Sequence, residues 1–161
     1  MVIDSLEFAR RHGTLSGCLQ LGALPRLSEV LFDLSGSLDY EVSGETAGGN
    51  AFLALKLEGP LRLICQRCLG ALEFALSVRS RVMLVEPESP WPDDSQVGGL
   101  DDEACDAIEA LRELDLTPLL DEEILLALPI APRHDRCEQP AAAVASKEAS
   151  PFAQLARLKR N

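Results

Sequence analysis

Residues 52–85 read FLALKLEGPLRLICQRCLGALEFALSVRSRVMLV, and the beat of their apolar positions decides the fold. From Phe52 to Leu57 the side chains alternate, with Leu53, Leu55 and Leu57 on one face, until Gly59-Pro60 closes the run. Leu61 to Cys65 is short and apolar. Leu72, Phe74, Leu76 and Val78 then share a face, with Glu73, Ser77 and Arg79 opposite, and Val82 to Val85 extends it. A period of two is the mark of a half-buried strand. Upstream, Val30, Phe32 and Leu34 keep the same beat, which resumes after Gly36 at Leu38, Tyr40 and Val42. Gly44 to Asn50 (GETAGGN) reads as a loop by composition. Residues 29–85 are therefore predicted to form a meander of antiparallel strands, curled towards a barrel because its one apolar face must be covered.

The first 27 residues mix apolar and basic positions and read equally as a short helix or an irregular lead-in. Glu86 to Asp106 holds three prolines, the pair Gly98-Gly99 and eight acids, the composition of an exposed loop. Ala104 to Leu114 has helical spacing at Ile108, Leu111 and Leu114. Thr117-Pro118 reads as an N-cap followed by an N1 proline, opening a second short helix. Ile124 to Ile130 is either its tail or a buried strand. Glu138 to Ser150 is rich in Ala and Ser without a period and reads as disordered, leading to a docking segment over Pro151–Arg160. The expected class is α+β: mostly antiparallel β, a barrel-like meander with a few short helices and a flexible C-terminal tail. Residues 1–137 form one domain on this reading, with the acidic loop 86–106 inserted, and residues 138–161 form the tail.

Composition bounds the function. A chain of 161 residues is one domain by length. At 47% apolar residues it can bury a real core, but with 4% aromatics that core is Leu, Val, Ile and Ala. The opening residues carry acids and lack a basic stretch before an apolar run, so no secretory signal is expected. The longest near-apolar run, Ile124 to Pro132, falls well short of the roughly 20 residues of a membrane helix, so a cytoplasmic protein without a membrane span is expected. Net charge is −11, which disfavours a default nucleic-acid binder. The charge is uneven: Glu86 to Glu123 holds 14 of the 26 acids and a single base, Arg112, leaving the remainder slightly basic.

Five cysteines, an odd number, argue against a disulfide framework. Cys65-Gln66-Arg67-Cys68 sits between two strand-like runs, where two thiols on one turn can face one ion. His134 and Cys137, again two residues apart, supply the further ligands a tetrahedral site needs, making Cys65, Cys68, His134 and Cys137 a candidate structural zinc set. Plain burial, or a dithiol redox pair on Cys65 and Cys68, are the other readings. Cys18 and Cys105 read as buried small apolar side chains. Arg62, Arg67, Arg79, Arg133 and Arg136 form a modest basic patch if the hairpin and the 132–137 loop meet; otherwise they are ordinary surface charge. No hydrolase motif or phosphate loop is present, so no catalytic residue, no cofactor-binding residue and no small-molecule substrate is assigned.

Three pieces together resemble one family. Leu63 to Leu69 (LICQRCL) is similar to the cysteine motif of the YceD family, the large ribosomal RNA subunit accumulation proteins. Asp121 to His134 (DEEILLALPIAPRH) resembles its second motif, an acidic patch leading into L-x-L-P-x-x-P-x-H, and Ser150 to Lys159 resembles its closing P-F-A-x-L-x-x-L-K segment. The resemblance implies a bacterial, non-enzymatic factor in the synthesis, processing or stability of large-subunit 23S rRNA. Its partner is expected to be that rRNA or a basic ribosomal protein of the large subunit. On the latter reading the acidic 86–123 segment, including Asp101, Asp102 and Glu103, holds the basic partner. The alternatives are a zinc-knuckle RNA-binding protein using the five arginines, or a C-x2-C redox protein.

Overall fold

The computed structural model describes residues 1–92 and 105–137. Its centre is a long antiparallel ribbon, β4 (Asn50–Ile64) against β5 (Ala71–Val85), in register from Ala51–Leu84 to Ile64–Ala71. Fifteen residues of strand extend about 50 Å. β3 (Ser37–Ala47) pairs with the first part of β4, and β2 (Thr14–Gln20) pairs with β3. β6 (Asp106–Glu109) joins the far side of β5 in parallel, so the sheet order is β2-β3-β4-β5-β6. Two short strands, β1 (Val2–Ile3) and β7 (Leu114–Asp115), pair separately. The helices are α1 (Ser5–Arg10) and α2 (Leu116–Ala127), and no helix among the described residues is long and apolar enough to cross a membrane.

The chain is thus α+β and mostly antiparallel, but its sheet is open: among the described residues β2 and β6 are its edges, and no barrel closes. The apolar face is covered instead by helices. Leu38, Val42, Leu53, Leu57, Leu61 and Leu63 of the sheet pack with Leu116, Leu120 and Ile124 of α2 and Ala9 of α1 in one core. On the opposite face, Phe52, Met83 and Cys105 form a small second cluster beside β6.

Several expectations from sequence are corrected. Residues 29–35 are not a strand: Pro25–Glu29 is a 3-10 turn, Leu31 makes only an isolated bridge to Leu63, and the apolar beat is inverted, with Leu31 buried while Phe32 and Leu34 are exposed. Gly44 to Asn50 is not a loop. β3 and β4 run into it, leaving Gly48 and Gly49 as a two-residue turn at φ +60° and +86°, which glycine adopts without strain. Gly59-Pro60 does not end β4. Ile64 donates to Val30 O and Arg62 O accepts from Phe32, so the even positions face that flank, away from β5. Pro60 shares their parity, and its missing N–H interrupts no β4–β5 bond.

The helix expected over residues 104–114 is strand β6, because the twenty residues that follow Val85 are enough for a parallel crossover. Asp115, not Thr117, caps α2, accepting the Thr117 N–H at 3.0 Å, and the Ile124–Ile130 stretch is helix only to Ala127. Cys18 is exposed on edge strand β2 rather than buried; Cys105 is buried. The lead-in contains α1 and β2. Of the acidic loop, residues 93–104 lie outside the described residues, as does the 138–161 tail.

α1 lies flush on β3 at Gly44. A Cβ built there would sit 2.4 Å from Phe8 O and 2.6 Å from Ala9 Cα. Both are backbone atoms that cannot swing aside, so Gly44→Ala is expected to lift α1 and cost about 1–3 kcal/mol or more, seen as a lowered Tm. An unchanged melt would contradict this packing.

Candidate metal centre

The ribbon β4–β5 outruns β3, which last pairs at Asp39–Glu58. The freed flank of β4 is taken by residues 30–32: Phe32 N–H donates to Arg62 O at 2.7 Å and Ile64 N–H to Val30 O at 3.0 Å. Beyond Ile64 the chain turns through residues 65–70 into β5. The turn is closed by Cys65 N–H to Gly70 O and Leu69 N–H to Cys65 O, both 2.9 Å, with Leu69 at φ +60°. After α2, residues 128–137 run back as an irregular strap, and Gln66 N–H donates to Pro132 O at 2.8 Å. The strap thereby brings His134 and Cys137 over the turn, although they lie some 65 residues further along the chain.

One ligand atom each from Cys65, Cys68, His134 and Cys137 lies within 4.8 Å of the others. A zinc tetrahedron with Zn–S about 2.3 Å and Zn–N about 2.0–2.1 Å has edges of roughly 3.6–3.8 Å. The Cys68 Sγ to His134 Nδ1 distance, 3.5 Å, already matches such an edge. The remaining separations, up to 4.8 Å, would have to shorten by about 1 Å for such a tetrahedron to form. Among the described residues no other His, Cys, Asp and Glu side chains converge in this way.

The surroundings are organised for thiolates. The Cys65 sulfur accepts the main-chain N–H of Cys68, and also those of Arg67 and His134. These donors hold the Cys65 thiol well below its ordinary pKa although burial opposes them. Cys68 accepts the Gly70 N–H, which lowers its pKa, but burial and the sulfurs of Cys65 and Cys137 outweigh this and push it up. Neighbouring thiolates repel one another, and a cation between these sulfurs would relieve that repulsion. His134 Nε2 lies 2.9 Å from Ala71 O. A carbonyl only accepts, so Nε2 carries the proton and, in the neutral ring, Nδ1 presents its lone pair to the cluster. The Arg67 side chain, read from the sequence as part of a basic recognition patch or as surface charge, donates Nε–H to Cys137 Sγ at 2.6 Å.

The arginines expected to form one patch are only partly brought together. Arg62 is held by Asp33 and by Glu73 at 3.3 Å, and stacks over Phe32. Arg79 faces Lys56 in register, eight residues along β5 from Ala71, which is about 26 Å from the turn. Arg133 and Arg136 are exposed on the strap and make no ion pair among the described residues. Asp101, Asp102 and Glu103 lie outside the described residues. The amide-to-sulfur bonds and the Ala71 carbonyl had no signal of their own in the sequence, since any residue supplies them.

Compared with known proteins, residues 53–159, about two thirds of the chain, match the family model described as large ribosomal RNA subunit accumulation protein YceD. The matched stretch runs from β4 through the turn and the strap, so both halves of the cluster lie inside it. No solved structure matches the chain.

Proposed function

The chain belongs to the YceD family, and from that premise we propose that it is a non-enzymatic cytoplasmic factor in the accumulation of large-subunit (23S) ribosomal RNA, built around a structural zinc site. The family description ties it to large-subunit rRNA; the mechanism is our reading. The observation that carries the zinc site is the convergence of three sulfurs and one imidazole nitrogen from two distant segments. Zinc there would be held by Cys65, Cys68, His134 Nδ1 and Cys137, and would fasten the strap to the turn. Four protein ligands leave no open position for water or substrate, which favours a structural over a catalytic metal. A dithiol redox role is disfavoured because Cys65, the thiol with the lowered pKa, is fully buried and cannot reach a disulfide substrate.

The clamped edge of turn and strap is the recognition edge on this reading, and the acidic 86–123 segment holds a basic ribosomal protein without Asp121 and Glu123, which are buried in α2. Engagement of Arg62 and Arg67 within the protein withdraws two of the five arginines from direct RNA binding. In a sucrose gradient, normal cells should show the protein on large-subunit precursors, and cells lacking it should show a depleted large-subunit peak. Charge reversal at Asp101, Asp102 and Glu103 should weaken that association. A normal profile with the protein confined to the free fraction would overturn the assembly role.

A further inference from the structure

We infer that Arg67 is the built-in counter-ion of this centre and the positioning residue that delivers Cys137 as its fourth ligand. The inference rests on the metal reading above. Three thiolates and a neutral imidazole around a divalent ion leave one net negative charge. Among the described residues, the cation in contact with a sulfur of the cluster is Arg67, whose Nε lies 2.6 Å from Cys137 Sγ. Its own main-chain N–H meets the Cys65 sulfur. A single residue inside the C-x2-C turn therefore touches a thiol from each of the two segments. Cys137 lies on the irregular strap rather than on the hydrogen-bonded turn, and its sulfur is the one that the Arg67 side chain contacts. A guanidinium donates from a rigid planar fork, so it orients the sulfur as well as balancing its charge, whereas an ammonium donates from a freely rotating head on a flexible stem and fixes direction less well.

The test uses the full chain, loaded with Co2+ and read by its absorption, with Zn2+ affinity measured by competition against a chelator. Arg67→Gln should weaken Zn2+ about 10–100-fold, the usual effect of removing a group that orients a metal ligand. Its sulfur-to-cobalt charge-transfer band should fall by about one third, as one of three thiolates leaves. Arg67→Lys should recover part of the affinity. On a Cys137→Ser background, Arg67→Gln should change neither quantity further, because its effect passes through that sulfur. Equal affinity for Arg67→Gln and the unsubstituted chain, or an equal loss on both backgrounds, would overturn the assignment. If the unsubstituted chain takes up no Co2+ or Zn2+, the metal reading itself fails and the role of Arg67 falls with it.

Discussion

Replacing Cys65 with serine is expected to empty the proposed zinc centre and lower the melting temperature by roughly 8–16 °C. Cys65 is fully buried, and its sulfur collects three main-chain N–H donors. A serine hydroxyl can meet some of those donors but is a poor ligand for zinc, which prefers thiolate and imidazole. A ligand present at about 1,000 times its Kd adds about 4 kcal/mol to the stability of the folded state. In a chain of this size each kcal/mol moves Tm by about 2–4 °C. The damage should be local in hydrogen exchange. The amides of Cys65, Gln66 and Leu69, which bond to Gly70, Pro132 and Cys65, should lose protection, while the ladder from Ala51 to Glu58 keeps it. Metal analysis after gel filtration should fall from one zinc per chain to near none. Unchanged metal content and Tm would show that Cys65 is a core residue and nothing more.

Leu57→Ala is expected to produce an effect of comparable size at the other end of the causal chain. Leu57 is 0% exposed and stands between Tyr40 on β3 and Val78 on β5, all three on the covered face. Truncating it leaves a cavity among side chains whose backbones are fixed by two ladders, so the space cannot collapse. The expected cost is about 2–5 kcal/mol in denaturant unfolding. Leu126→Ala, at a site 69% exposed, should stay within about 0.5 kcal/mol. Zinc content in Leu57→Ala should remain at one per chain under native conditions, because the turn and strap do not touch this position. A small change at Leu57 would mean the sheet and helices are loosely packed.

The two substitutions separate the parts of the molecule that were legible in different ways. The alternation from Phe52 to Leu57 and from Leu72 to Val78 is a local property, and it placed the right residues on the covered face. The pair Cys65 and Cys68 was equally legible, because a two-residue spacing on a turn has few geometries. His134 and Cys137 were readable as a second pair, yet nothing in their own stretch says where that stretch lies. Their arrival over the turn depends on α2, capped by Asp115, packing its Leu120 and Ile124 against the sheet and ending at Ala127. It depends also on Gln66 binding Pro132.

Other misreadings share a cause. Residues 29–35 and 104–114 carry apolar residues at spacings that suit either a strand or a helix over so short a span. In each, the neighbour decided. Residues 30–32 met the flank of β4 that β3 had vacated, and residues 106–109 met the open edge of β5. The five arginines show the same limit, since their charges were plain in the sequence but their partners Asp33, Glu73 and Cys137 were not.

By itself, the sequence determined the class of fold, the central ribbon and its covered face, the turn carrying Cys65 and Cys68, and the family. The class, the ribbon and the turn rest on patterns within about thirty residues, where backbone geometry and side-chain period leave few choices, whereas the family rests on three motifs in order between Leu63 and Lys159. Only the tertiary structure decided that the sheet stays open under two helices, that the strap crosses the turn, and that Arg67 reaches Cys137. Those outcomes join segments far apart in the chain, and they follow from which surfaces remain unburied and which backbone groups remain unpaired once the ribbon has formed.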